Sequence, residues 1–256
     1  MDNIPERPLI LAIETSSRTG SVALATGPFL LEETRFSAPM RHSAEILPAI
    51  DALLQRHNHP ASDLRQVHLA IGPGSFTGLR IAVTVAKAMH LATAARVVAV
   101  DSLVVLAANA SEPIEGLPDR IATLFDAKRG QFYAAVYERT TIPANPQPDR
   151  AGYRIPAPDG QTWRKIVPDR LMTSTEIAET SSDDGRLGIL GDGLLYHQDE
   201  FRTDSFSIVP QPYWGPRAAN VHRLGYQKSL AARFEEPVAL TPFYLRGAQV
   251  TLKKRR

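Results

Sequence analysis

The chain has 256 residues, 43% hydrophobic and 22% charged, with a formal net charge of +2. That length suffices for one large domain or two small ones with a proper core, and the near-neutral balance excludes an overall field that recruits nucleic acid or a membrane surface. The lack of cysteine removes disulfides, thiolate zinc sites, iron–sulfur clusters and a cysteine nucleophile together.

Residues 8–14, PLILAIE, form an apolar run that ends in an acid, and SVALAT (21–26) follows a polar, glycine-containing turn, so the pair reads as a hairpin. Over 43–57, Ile46, Leu47, Ile50, Leu53 and Leu54 recur at helical spacing, with Ser43 as the cap. Pro48 fits that helix only near its first turn. VHLAIG (67–72) reads as a buried strand, 77–95 as a helix, RVVAV (96–100) as a strand and 102–110 as a helix. Strands alternating with helices predict a sheet that is parallel in part. SEPIEGLPD (111–119) sheds the periodic pattern, and a boundary there divides the chain into lobes 1–110 and 111–256.

Beyond that boundary, RIATLFDAKRGQFYAAVYE repeats the opening grammar: an apolar strand ending in an acid (Asp126), a polar turn, then a second strand. The proline-rich stretch 141–160 reads as a long surface loop or an edge hairpin, and RLGILGDG (186–193) as a strand running into a glycine turn. The region 216–233 reads as a last amphipathic helix that packs back on the first lobe, and VALTPFYLRG as a closing strand. The basic tail 253–256 reads as a frayed terminus, with contact to an anionic partner as the sharper alternative. No apolar run approaches the roughly 20 residues of a membrane span and no leader pattern is read, so a cytoplasmic protein is expected.

The stretch Gly72-Pro73-Gly74-Ser75-Phe76-Thr77-Gly78 looks built to hold a phosphate, which needs free backbone N–H groups and a helix N-terminus behind them. It lacks the lysine and hydroxyl of G-x-x-x-x-G-K-[ST], and Thr77 stands where G-x-G-x-x-G requires glycine. Pro73 removes one donor. Two readings stay open: a tight strand–helix turn, or a residual phosphate contact. Glu14 and Asp126, each at the end of an apolar strand, are placed either to hold a nucleotide or metal-bound water across a cleft, or to cap their own turns. The histidines are scattered, His57 and His59 would point apart on a helix, and neither H-E-x-x-H nor G-x-S-x-G occurs. No metal site and no catalytic residue is expected.

The blocks LAIETSSRTGSVAL, HSAEILPAID, IGPGSFTGLRIAVTVAKA and DAKRGQFYAAVY, in this order, with PFYLRG near the end, resemble the bacterial TsaB family. The resemblance implies a two-lobed α/β fold of the actin, Hsp70 and ribonuclease H-like kind, with mixed sheets flanked by helices. It implies a non-catalytic subunit that dimerises with and activates TsaD in making threonylcarbamoyladenosine next to the anticodon of tRNA. TsaD-type chains carry two metal-binding histidines just after the strand that follows the glycine-loop helix; here Ser102 and Leu106 occupy those places, and Leu106 cannot ligate. Glu14 is a departure, since many TsaB chains have aspartate there and TsaD often has glutamate. Two other readings therefore stay open: the catalytic threonylcarbamoyltransferase itself, and an actin-like ATP-dependent small-molecule kinase.

In the family the first two helices pair with the same helices of TsaD, and with a second copy when TsaD is absent. That makes Ile46, Leu47, Ile50, Leu53 and Leu54, with Leu79, Ile81, Ala82, Val85, Ala86 and Met89, the interface candidates. The family further implies a TsaE-type ATPase as third subunit, an indirect encounter with tRNA, and ATP or ADP at the subunit junction. Thr15, Ser16, Ser17, Gly74 and Ser75 are the candidates to touch that nucleotide.

Overall fold

A computed structural model describes residues 7–141, 153–181 and 185–246. The basic tail 253–256 and most of the proline-rich stretch lie outside the described residues.

Strand β1 (Leu9–Glu14) is buried along its whole length because both of its faces are covered. Leu9, Leu11 and Ile13 face one apolar cluster and Ala12 the other, the period of two that a strand imposes. β2 (Ser21–Thr26) pairs with β1 antiparallel and with β3 (Phe29–Arg35) in turn; β4 (Leu64–Gly72) lies parallel to β1, and β5 (Arg96–Asp101) parallel to β4. The order is β3-β2-β1-β4-β5. Helices α1 (His42–Arg56) and α2 (Phe76–Thr93) cover the leucine- and isoleucine-rich face.

The other face carries the small residues Ala12, Ala23 and Ala70, and these let helix α6 (Ala218–Leu230) lie across the strands. Gly225 of α6 sits so close to His68 that a Cβ there would strike the imidazole ring. Helix α3 (Ser102–Ala107) is wholly buried and joins this face to the second sheet in one continuous core.

The second sheet is built from β6 (Arg120–Asp126), β7 (Phe132–Thr140), β8 (Ile155–Pro156), β9 (Thr162–Met172), β10 (Leu187–Leu190) and β11 (Phe206–Ile208), in the order β11-β10-β6-β7-β9-β8. Set aside the two-residue edge strand β8, and the connectivity equals that of the first sheet. A central strand has two successive antiparallel neighbours on one side and two parallel ones on the other. The short helices α4 (Ser174–Ala178) and α5 (Leu194–His197) complete the set. The architecture is thus two-lobed α/β with mixed sheets flanked by helices, and the repeated sequence grammar reflects a repeated topology.

Helix α1, strand β3 and the C-terminal segment differ from the sequence reading, and β9, β11, α4 and α5 have no counterpart in it. Helix α1 begins at His42 with Arg41 as an N-cap that makes no side-chain bond, so Ser43 is not the cap and Pro48 lies inside the helix. Pro48 is solvent-exposed, as is Ala44 one turn before it, so the carbonyl that loses its partner faces water rather than core. Strand β3 escapes the sequence reading because its Phe29-Leu30-Leu31 stretch is exposed and shows no alternation. The expected closing strand is not a strand. Between Pro237 and Pro242 the chain runs irregularly along α2, and it meets the first sheet through the Phe243 N–H donating to the Ile71 carbonyl at 2.8 Å.

Candidate functional site: the cleft between the sheets

The carboxyl ends of β1, β4, β6 and β10 point at one cleft of about 360 Å³, the position where open α/β sheets place their ligands. Its walls are Ser16, Ser17 and Arg18 from the turn after β1, Gly74, Ser75 and Phe76 from the start of α2, Asp126 and Lys128 from the turn after β6, and Asp192 and Tyr196 from beyond β10.

Four of the five residues expected at a nucleotide therefore line it: Ser16, Ser17, Gly74 and Ser75. Thr15 lies beneath, fully buried, its Oγ1 donating to the Gly78 carbonyl at 2.8 Å. The glycine loop is pressed onto the β1 turn. A Cβ on Gly78 would strike the Thr15 carbonyl, and one on Gly74 the Ser16 carbonyl. The Ser75 N–H donates to the Ser16 carbonyl at 2.7 Å, and the Ser75 hydroxyl caps α2 by accepting from the Gly78 N–H at 3.2 Å. Donors that a phosphate would recruit at Ser75 and Gly78 are thus committed within the chain, as the tight-turn reading requires.

Each strand-end acid caps its own turn. Glu14 is fully buried; its Oε1 accepts from the Ser16 N–H at 2.5 Å and the Ser16 hydroxyl at 2.6 Å, while Oε2 has no partner. Burial pushes the Glu14 pKa up to about 7 against the pull of the Ser16 bonds, with Asp192 and Glu33 adding repulsion. Asp126 accepts from the Lys128 N–H at 2.7 Å and from Lys128 Nζ at 2.5 Å. Burial raises its pKa, but the Lys128 bonds and charge outweigh that and hold the carboxylate below its usual range. Asp192 is raised to about 6, by burial before all else, although the Arg18 N–H donates to its Oδ2 at 3.1 Å.

At the cleft mouth the Arg18 guanidinium stands 5.0 Å from the Tyr196 ring centroid and Lys128 Nζ 6.0 Å from it. The sequence reading missed Arg18, Lys128, Asp192 and Tyr196. Their one signal was Gly191-Asp192-Gly193 after an apolar strand, the same strand-into-turn pattern as at Glu14 and Asp126. The C-terminal segment also reaches this region: Arg246 Nη1 donates to the Ala127 carbonyl at 2.7 Å and Nη2 to Gln131, while Tyr244 packs 5.0 Å from Phe76.

Ser102 and Leu106, singled out in the sequence as the residues after β5, are both fully buried; the Ser102 hydroxyl accepts from the Gly72 N–H at 3.0 Å and Leu106 packs in the core. Among the described residues no cluster of three or more His, Asp or Glu is arranged to hold a metal ion. No helix among them is long and apolar enough to cross a membrane.

The interface candidates divide sharply. Ile46, Ile50, Leu53, Leu54, Leu79, Ala82, Val85 and Ala86 are buried against this chain's own first sheet. Leu47 is 56% exposed, and Ile81 and Met89 are half-buried. Leu91, which the sequence reading did not select, is 80% exposed at the far end of α2.

A family profile described as TsaD, tRNA N6-adenosine threonylcarbamoyltransferase, matches residues 37–152. The chain is 30% identical to the tRNA threonylcarbamoyladenosine biosynthesis protein TsaB of Bacillus subtilis over 95% of its own length and 96% of that protein. It is 24% identical to the TsaB protein of Haemophilus influenzae over 96% of each chain. In three dimensions it is similar to YeaZ from Pseudomonas aeruginosa, with a TM-score of 0.73 at 23% identity, covering 93% of this chain and 100% of that one.

Proposed function

The chain belongs to the TsaB family, and from that premise we propose that it serves tRNA threonylcarbamoyladenosine biosynthesis as a non-catalytic subunit that pairs with and activates a TsaD-type transferase. The observation that carries the non-catalytic part is the burial of Ser102 and Leu106. The family profile that covers 37–152 describes the transferase, yet the two positions where the transferase holds its metal here offer a hydroxyl bonded to Gly72 and an aliphatic core residue.

The cleft supports the same reading. The Ser75 amide is spent on the β1 turn, the Gly78 amide on the Ser75 hydroxyl and the Gly72 amide on Ser102, so a nucleotide at the subunit junction would lean on the side chains of Ser17, Arg18 and Lys128.

Pairing is assigned to the outer face of α1 and α2, where Leu47 is exposed and Ile81 and Met89, half-buried against the core, keep part of their surface in solvent. The same face would join two copies of this chain when the transferase is absent, as an isologous contact. A TsaE-type ATPase completes the assembly, and the tRNA substrate places it in the cytoplasm.

The test is a reconstituted tRNA modification assay with two omissions. Product lost without this chain, and lost again without the transferase, is the expected result. Product formed by this chain without the transferase overturns the proposal. Leu47→Glu in the complete mixture is expected to lower product at least tenfold while leaving the far-ultraviolet circular dichroism spectrum of the isolated chain unchanged, because Leu47 is exposed and outside the core.

A further inference from the structure

At the end of the first sheet opposite the cleft, a second pocket of about 600 Å³ opens among Arg7, Arg65, Arg96, His59, Asp63 and Thr26. Topology gathers these residues. β1, β4 and β5 are parallel and start on this rim, so Arg7 just ahead of β1, Arg65 as the second residue of β4 and Arg96 at the head of β5 come together there.

Each guanidinium is positioned without a carboxylate. Arg7 lies 4.7 Å from the Phe29 ring centroid, and Arg96 lies 4.0 Å from that of Phe234. Arg65 Nη1 donates to the Ser62 carbonyl at 2.7 Å. Among the described residues none of the three makes an ion pair. The one acid in the pocket, Asp63, sits 3.4 Å from His59 Nδ1 instead. Nor does any of the three bond the last carbonyls of α1 or α2, whose C-terminal ends border the pocket. Stacking on an aromatic face fixes the plane of a guanidinium and leaves its N–H edge unspent. Two guanidiniums held in this way, with Arg65 as a third cation on the same concavity, repel one another until an anion with several acceptor oxygens enters.

We infer that this rim binds phosphate, either as a free phosphate compound or as a phosphodiester of an RNA backbone. The inference rests on this pocket alone and does not depend on the subunit reading. Its test measures binding by the isolated full-length chain, whereas the reconstitution assay measures product.

The full chain is titrated with inorganic pyrophosphate by calorimetry and with tRNA by fluorescence anisotropy, at low salt. It is compared with the double variant Arg65→Gln/Arg96→Gln and with Arg164→Gln, a distant control on β9 that pairs with Glu138. Saturable binding that weakens at least tenfold in the double variant and not in the control is expected. Pyrophosphate binding alone identifies a free phosphate compound. tRNA binding identifies the backbone, with the slope of log affinity against log salt falling by between one and two on loss of both arginines. No saturable binding of either probe, or equal weakening in the control, overturns the inference. Circular dichroism melting of each variant separates loss of binding from loss of fold.

Discussion

The main-chain N–H of Arg18 and the carboxylate of Asp192 meet at 3.1 Å, a bond that ties the turn leaving the first sheet to the turn leaving the second. It is a polar link across the cleft, and it holds Asp192 although burial and the neighbouring Asp126 work against its charge. Asp192→Ala removes the acceptor and leaves the Arg18 amide to solvent. The expected result is faster hydrogen exchange at the Arg18 amide than in the native chain. Asp192→Asn keeps an acceptor oxygen and is expected to retain the protection. Unchanged exchange in the alanine variant would show that the link does not hold the lobes.

Glu14 makes stability fall as pH rises. Its pKa is raised in the folded chain to about 7 from the ordinary 4.5, so between those values the folded state binds more protons than the unfolded one. Stability contributed by the protonated carboxyl is full below the unfolded value and is lost as pH climbs through the folded value. His42, His68 and His222, all lowered on folding by burial, gain stability over the upper part of the same interval, so the Glu14 contribution is read from the difference between the native chain and a variant that cannot ionise there. Glu14→Gln keeps an acceptor for the Ser16 N–H and hydroxyl but cannot ionise. In thermal unfolding the native chain is expected to be more stable relative to the variant at pH 6 than at pH 8, and a difference that does not change with pH would remove Glu14 as the titrating group.

How much of this was readable beforehand depends on where each residue's partners lie. Runs such as LILAIE and RIATLFD announce themselves because a strand buried on both faces is apolar throughout. The acids at their ends were visible too, and the alternative in which each caps its own turn is the one the hydrogen bonds bear out. Arg18 and Asp192 lie far apart in the chain and become neighbours only because the two sheets share one topology, which no local pattern encodes. The helices were legible as helices. Periodicity could not separate Leu47 from Ile46 or Ile50, since a stripe of apolar residues does not state whether the chain's own sheet or another molecule covers it. Prolines at 237 and 242 mark the segment that the apolar run VALTPFYL misrepresents as a strand.

Gly78 is demanded by close approach rather than by backbone freedom. Helix α2 starts directly against the β1 turn, and any side chain at this position meets the Thr15 carbonyl. Gly78→Ala is expected to push α2 away from the turn, break the bond from Thr15 Oγ1 to the Gly78 carbonyl and cost about 2–3 kcal/mol, the range of an overpacked core site. Gly116→Ala provides the comparison, because nothing lies within 4 Å of a Cβ there and the penalty comes only from its φ of +67°. Chemical denaturation of the two variants checks this ordering; a loss at Gly116 as large as at Gly78 would remove the steric argument.

His68 and His222 give the acid limb of the stability curve. The two rings stack with centroids 6.2 Å apart between β4 and α6, and burial, followed by the charge of His222, pushes the His68 pKa down to about 3. His222 is also lowered, again by burial, while its Nε2–H donates to the Gly27 carbonyl at 2.8 Å. A histidine lowered on folding takes up its proton more readily in the unfolded chain, so the stability it contributes is whole above pH 6.5 and drains away as pH falls toward 3. Glu14 and Asp192 gain stability over part of the same interval and mask the effect in the native chain alone. The difference between the native chain and His68→Gln cancels those acids. That difference is expected to favour the native chain less at pH 4.5 than at pH 7, by an amount on the order of 2–3 kcal/mol. A difference that does not change with pH would mean that the buried ring takes up a proton as readily in the folded chain as in the unfolded one.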